Sequence, residues 1–400
     1  MASKNWDSNT EIEYFREYLR IPSVHPNPDY EPCVEFLKSQ ANDLGLPIKV
    51  YYPFDKQNPV VVLTWEGTEK ELPSILLNSH MDVVPVFPEN WTHPPFGADI
   101  DEEGRIFARG SQDMKCVGMQ YLAAIRALKE KGDRFKRTIH ISFVPDEEVG
   151  GTKGMSPFVD SEDFKLLNIG FSLDEGIASP TSEFPVFYAE RTRKGVVFKI
   201  SGSAGHGLLL MPNTAGEKLS YLTSKLMEFR AGQVKRLKDN PELLIGDVTT
   251  INLTSVVGGV QSNVVPPLIT ANFDIRLSLD INVREFEANL AKWCEEAGGD
   301  IEFEISRRDH IPPTVTDDSN PFWVAFKNAT EELGLATKLQ VFPGGTDSRY
   351  IRKVGIPALG FSPMNNTPVL LHDHDEFIKA DTYLKGVEIY QKIIANLADV

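Results

Sequence analysis

The sequence predicts an α/β protein whose mixed, mostly parallel sheet is flanked by helices and interrupted by an inserted βαββαβ unit. Three patterns predict it. Short apolar strands alternate with amphipathic helices as far as residue 189, and several strands run straight into a histidine or an acid. From Glu190 the order changes to strand, helix, strand, strand, helix, strand, which is the split-βαβ arrangement, before alternation resumes near residue 311. The expected division is 1–189 for the first part of the larger domain, 190–310 for the insertion and 311–400 for the second part.

Thr10 is placed to cap a first helix, with Glu11 and Glu13 at its positive end and Ile12, Phe15 and Leu19 on one face; Ile21-Pro22 ends it. A second helix runs from about Pro32 to Leu44, where Gly45 supplies the stop. Ile48 to Tyr52, Val60 to Trp65 and Pro73 to Asn78 are rich in β-branched and aromatic residues and read as strands. After a strand at Arg105 to Ala108 comes a turn ending in Asp113, the expected N-cap of a helix from Met114 to Lys131. Its Val117, Tyr121, Leu122, Ile125 and Leu128 form an apolar stripe. Strands at Thr138 to Val144 and Asn168 to Leu173 lead into Asp146-Glu147-Glu148 and Asp174-Glu175.

In the insertion the strands expected are Gly195 to Ser201, Val248 to Ser255, Leu268 to Arg276 and Ile301 to Ser306, with helices at Thr214 to Phe229 and Val283 to Ala297. The proline-rich stretch from Asp309 to Pro321 reads as the return crossing. A helix at Phe322 to Leu333, a strand at Lys338 to Phe342, the GGTDSR turn, a strand at Ile356 to Phe361 and a helix at Thr382 to Leu397 complete the chain.

Four hundred residues that are 41% hydrophobic and 24% charged suit an ordinary globular protein and exclude fibrous or disordered classes. A net charge of -16 repels phosphate backbones and anionic lipid, so neither nucleic acid nor membrane is an expected partner. The N-terminus lacks an apolar signal core, and no apolar run approaches the roughly 18 residues a membrane span needs. Cys33, Cys116 and Cys294 are odd in number, far apart and without a CxxC pair, which suits a reducing compartment; the expected location is the cytoplasm.

The chemistry sits at the strand ends, on His80, Asp82, Asp113, Glu147, Glu148, Glu175 and His372. Zinc takes imidazole nitrogen and carboxylate oxygen at roughly 2.0–2.2 Å, and two zincs about 3.5–4 Å apart need one carboxylate between them. This set supplies one histidine per metal, a bridging carboxylate and two terminal ones. Asp82, two residues after His80, is within reach of its second ring nitrogen and would fix its orientation. Glu147 remains as a base if its neighbour Glu148 binds metal. His25, His93, His140 and His310 carry no assignment.

The segments SHMDVVP, ARGSQDMK, FVPDEEVGG, LDEG, GHG, FDIR, GGTDSR and LLHDHDE, in that order and nearly end to end, resemble the cocatalytic zinc aminoacylase and exopeptidase family. The resemblance implies two Zn²⁺ per subunit, one held by His80, Asp113 and Glu175 and the other by Asp113, Glu148 and His372. It makes Asp82 the residue that orients His80 and Glu147 the general base. His372 is preferred to His374 because the family's ligand is followed four residues later by a glutamate, here Glu376. The likeness further implies that the ferredoxin-like insertion is a dimerisation lid, so that the chain forms a homodimer. His206 would then reach the partner's site to stabilise an oxyanion, and Asn263, Arg276 and Arg349 would contact the substrate carboxylate. In one departure, Leu208, Leu209, Leu210 and Met211 follow His206 where family members often carry small residues, which bears on acyl-chain preference.

The implied activity is hydrolysis of N-acyl-L-amino acids, such as N-acetyl amino acids, to a carboxylate and a free L-amino acid. A dipeptidase or carboxypeptidase on the same metal scaffold is the alternative, because metal ligands do not encode the leaving half of the substrate. A metal-free binding protein is a third reading, which the complete ligand set opposes.

Overall fold

The structure is a computed structural model that describes residues 6–306 and 311–400. These residues fall into two compact units, one within Met1–Ala189, Pro312–Leu339 and Gly345–Val400, the other within Glu190–Ile311 and Gln340–Gly344. His310 and the start of the expected crossing at Asp309 lie outside the described residues; from Ile311 to Asn320 the backbone has no helix or strand.

Asn9, not Thr10, caps α1 (Thr10–Leu19): its side chain accepts the amide N–H groups of Glu11 and Ile12, and Thr10 is the first helical residue. α2 (Glu31–Leu44) carries Pro32 in its first turn and stops at Gly45, which is left-handed at φ 62°. Strands β1 (Ile48–Tyr51), β2 (Val60–Trp65) and β3 (Ser74–His80) follow, then β4 (Asp99–Ile100) and β5 (Arg105–Phe107). Next come α3 (Lys115–Glu130), β6 (Ile139–Val144), α4 (Met155–Val159), α5 (Glu162–Leu166), β7 (Ile169–Asp174) and β8 (Phe184–Glu190). Asp113 does not cap α3; Met114 holds the N-cap position with no side-chain hydrogen bond, and the Asp113 carboxylate turns elsewhere.

The insertion contains β9 (Thr192–Ser201), β10 (Gly205–His206), α6 (Ala215–Asp239), β11 (Thr250–Gly258), β12 (Val264–Val265), β13 (Leu268–Leu277), α7 (Val283–Glu296) and β14 (Ile301–Ile305). The chain then forms α8 (Pro321–Glu332), β15 (Thr337–Phe342), α9 (Ser348–Lys353), β16 (Ala358–Phe361), β17 (Phe377–Lys379) and α10 (Ala380–Ala398). The expected GGTDSR turn therefore passes into a short helix at Ser348.

The main sheet has the order β1-β2-β6-β3-β7-β16-β8-β15. Its four central strands, β6, β3, β7 and β16, are parallel, while β2 and β1 on one side and β8 on the other run antiparallel to their neighbours. β3 and β6 are buried at every position, which is why they read as unbroken apolar runs rather than as alternating ones. Ile75 and Leu77 enter a core with α1, α3, α8 and α10, and Leu76 enters a second cluster with α4 and α5 on the opposite face. The smaller unit is an antiparallel sheet in the order β11-β13-β9-β14, with α6 and α7 supplying Leu222, Leu226, Phe286 and Leu290 to its core.

Candidate metal centre

Three parallel strands end together, and each ends in chemistry. His80 is the last residue of β3, paired with Val144 at the end of β6, and Glu175 directly follows β7. After β6 the chain turns sharply through Asp146 at φ 70° into a 3₁₀ turn, Glu147–Val149, that Gly150 closes at φ 110°. Asp113 arrives from the turn between β5 and α3, and His372 from the loop before β17. α3 comes close beneath β3 because Gly118 has no side chain; a Cβ there would meet Ser79 Oγ at 2.5 Å and Phe143 Cε1 at 2.7 Å.

Asp113 stands between the two histidines. Its Oδ1 lies 3.1 Å from His80 Nε2, and its Oδ2 lies 3.4 Å from His372 Nε2. Glu175 Oε2 is 3.7 Å from His80 Nε2, and Glu148 Oε2 is 3.1 Å from His372 Nε2. Two groups of donors that could hold a metal ion result, His80–Asp113–Glu175 and Asp113–Glu148–His372, each with its ligand atoms within 4.8 Å of one another. The donor chemistry fits a pair of divalent cations. Asp113 offers one oxygen to each group, and buried Glu148 Oε1 has no hydrogen-bond partner among the described residues, as expected of an atom directed at an ion.

His80 Nδ1 lies 2.9 Å from the backbone carbonyl of Asp82, which can only accept, so Nδ1 carries a proton and Nε2, facing Asp113 and Glu175, is the nitrogen available to a metal. The Asp82 carboxylate stands 3.6 Å off and serves elsewhere, accepting the backbone N–H groups of Glu147 (3.2 Å) and Glu148 (3.1 Å) and facing His25 Nε2 at 2.8 Å. His80 Nδ1 thus meets Asp82 through its main-chain carbonyl at 2.9 Å, with the carboxylate that the HxD spacing suggested 3.6 Å away. Glu376 performs a parallel task for the other turn. Its carboxylate accepts the N–H groups of Gln112 (2.6 Å), Asp113 (3.3 Å) and Gly110 (3.3 Å) and the buried Arg109 guanidinium (2.7 Å).

The electrostatics follow from crowding carboxylates in a buried space. Burial and neighbouring Asp113 push Glu175 well above the usual carboxylate range and Glu148 up to about 7. Burial and Glu175 do the same to Glu147, which has His80, Asp347 and Arg349 as its other charged neighbours. Burial opposes charge on His80, yet Asp113 and Glu175 hold its pKa well above 6.5; Asp113 and Glu148 raise His372 to about 10. Asp113 is lowered despite burial, because both imidazoles face it.

His206, Asn263 and Arg276 belong to the smaller unit. His206 pairs with Val264 in the β10–β12 ribbon and is exposed, and the amide of its neighbour Gly207 donates to the Asn263 carbonyl at 2.8 Å. Arg276 already faces Asp274 Oδ1 at 3.1 Å. Arg349 lies in the larger unit at the start of α9, over the Tyr350 ring. Sequence reasoning missed His25 and Arg109, whose partners are distant in the chain; Glu376 appeared only as a spacing marker, though its place in LLHDHDE was a usable signal.

Comparison with known proteins places the chain. It is 51% identical to aminoacylase-1 of Mus musculus over 100% of this chain and 98% of that protein, and 50% identical to aminoacylase-1A of Rattus norvegicus over the same shares. A solved tripeptidase of Staphylococcus aureus shares its fold at a TM-score of 0.75, with 20% identity over 97% of this chain and 98% of that one. Among the described residues no helix is long and apolar enough to cross a membrane. The profile of peptidase family M20/M25/M40 matches residues 76–396, a span that holds both donor groups, and the chain belongs to that family.

Proposed function

We propose that the protein is a dinuclear zinc amidohydrolase that cleaves N-acyl-L-amino acids to a carboxylate and a free L-amino acid. The observation that carries the reading is Asp113 directing one oxygen to each of two histidine-carboxylate groups. The full-length likeness to aminoacylase-1 proteins supports the substrate class. Imidazole and carboxylate donors suit zinc. His80, Asp113 and Glu175 would hold one ion and Asp113, Glu148 and His372 the other. When bound, the two ions would supply Lewis-acid polarisation of the amide carbonyl and would lower the pKa of the attacking water.

Glu147 would take a proton from the attacking water as its oxygen bonds to the acyl carbon, and would deliver it to the amine nitrogen as the C–N bond breaks. Burial and the neighbouring Glu175 raise the affinity of the Glu147 carboxyl for a proton, against the opposing charge of His80. In this reading the insertion, 190–310, is a dimerisation lid, and His206 of one subunit steadies the tetrahedral oxyanion in its partner. Asn263, Arg276 and Arg349 receive the substrate carboxylate, Arg276 exchanging its Asp274 contact for it. Free, buried Cys33, Cys116 and Cys294 support a reducing compartment, the cytoplasm.

The deciding experiment is a substrate panel on zinc-loaded and chelator-treated protein. N-acetyl-methionine should be hydrolysed faster than unblocked dipeptides, and only with metal. Faster dipeptide cleavage would instead favour the dipeptidase or carboxypeptidase alternative, and no bound zinc with no hydrolysis after zinc is restored overturns both.

A further inference from the structure

We propose that His25 is a positioning residue for the centre: its ring N–H holds the Asp82 carboxylate, and through it the backbone of the Glu147–Glu148 turn. The role rests on the assignment of Glu147 as base and Glu148 as ligand. Asp82 is completely buried, and a buried carboxylate must find donors for its lone pairs. Two of those donors are the amides of Glu147 and Glu148, at 3.2 and 3.1 Å. His80 gives its N–H to Asp82's carbonyl oxygen. Among the described residues, His25 is left as the one side chain within 3.0 Å of the carboxylate, its Nε2 at 2.8 Å from Oδ2. Since a carboxylate only accepts, Nε2 carries the proton.

The N-terminal segment is built to deliver that ring. Lys115, buried on α3, donates to the carbonyl oxygens of Tyr18 (3.2 Å) and Ile21 (2.7 Å), fixing the exit of α1. Residues 23–25 then run parallel to residues 81–83. Ser23 Oγ donates to the Met81 carbonyl, Val83 N–H to the Ser23 carbonyl and His25 N–H to the Val83 carbonyl, with Val24 bridged to Val83. Tyr30, from the same stretch, accepts the Asp146 N–H at 3.1 Å, and Tyr350 donates to the Gly150 carbonyl at the far end of the turn. The turn bearing Glu147 and Glu148 is therefore gripped at both ends, and the Asp82 carboxylate holds the two amides in its middle. Without the His25 donor, Asp82 is one partner short and the two amides lose their fixed acceptor. Both the base and a ligand would shift together.

The test uses the full chain. His25→Gln keeps an N–H donor at similar reach, whereas His25→Leu fills the volume without one. Two readouts are compared with wild type: kcat and KM for N-acetyl-methionine with zinc, and amide hydrogen exchange at residues 147 and 148 in metal-free protein. His25→Leu should lower kcat roughly 10- to 100-fold with KM little changed. It should also speed exchange at the two amides by about tenfold or more, while strand Ile139–Val144 keeps its protection. His25→Gln should restore both to within about threefold of wild type. If His25→Leu does not fold, His25→Asn, polar but one methylene short, takes its place with the same expected loss. Wild-type exchange and turnover in His25→Leu, or a His25→Gln variant as impaired as His25→Leu, overturns the proposal. Should wild type fail to hydrolyse N-acetyl-methionine, the hydrolase reading fails, and the exchange comparison still decides the role of His25.

Discussion

Asp113 can serve two ions because each of its oxygens faces a different histidine, and this arrangement fixes what protons do in the site. Without a divalent ion, protons substitute for it: His80 and His372 are held above their ordinary value, and Glu148 is raised to about 7. His80 and His372 keep their protons at neutral pH and Glu148 keeps its own in part, so zinc must displace them, and zinc affinity should rise with pH. Calorimetric titration with zinc at pH 7 in buffers of different ionisation enthalpy should show net proton release, with weaker binding at pH 6 than at pH 8. Binding without proton release would contradict the cluster's electrostatics. Glu147→Gln, by contrast, should leave two metals bound and reduce kcat by roughly 10²- to 10⁴-fold, the usual worth of a general base. Full turnover would remove Glu147 from that role. His80, Glu147, Glu148 and Glu175 were legible because they follow apolar strands that end along one sheet edge, whereas Asp113 and His372 arrive from a turn and a loop. His25 was not, since it follows no strand of its own and its partner Asp82 lies far along the chain.

At the scale of the element, legibility tracks burial. Val60–Trp65 was readable to the residue because its apolar run coincides with a strand buried almost throughout. α6 was expected to end at Phe229 but continues to Asp239; its buried residues end at Leu226, so the later turns carry no apolar period to read. β8 was missed because Pro185 weakens a strand reading, although the strand pairs with β16 through Val186 and Phe187. β2 and β6 also carry a cross-strand pair, Thr64 opposite His140. His140 Nε2 is 3.2 Å from the Leu167 carbonyl, so it donates there, and Nδ1 accepts from Thr64 Oγ1 at 2.9 Å. Burial lowers this histidine to about 4. In the unfolded chain it titrates near 6.5, so below that pH the unfolded state binds a proton that the folded state refuses. The neutral ring's contribution is intact above pH 6.5 and is lost progressively toward pH 4, by roughly 3 kcal/mol in total. Urea unfolding of wild type and His140→Gln across pH 4 to 7 should show their stability difference moving in the variant's favour as pH falls. A constant difference would rule out the buried neutral imidazole.

The order of the main sheet makes the larger unit depend on both ends of the chain. β16, contributed after the insertion, lies between β7 and β8, contributed before it. α10 buries Tyr383 against Phe15 of α1 with ring centroids 4.5 Å apart, and Tyr390 against Tyr121 of α3 at 4.7 Å. β17 pairs with β5, and the loop ahead of it brings His372 to the metal centre and Glu376 to the turn that bears Asp113. The alternation of strands and helices showed that a second segment exists; where its strand enters the sheet depends on long-range pairing, which no local pattern encodes. A chain ending at residue 311 would leave β7 and β8 without the strand between them. It would also expose the apolar faces of α1 and α3 and lose the second imidazole. Such a fragment should show no cooperative urea transition by near-ultraviolet circular dichroism and should retain at most one weakly held zinc. Adding residues 312–400 as a separate chain should restore both signals, because the missing contacts are packing and pairing rather than covalent continuity. A fragment that unfolds cooperatively by itself with two zincs bound would show that the first segment builds both core and centre unaided, against the strand order seen here.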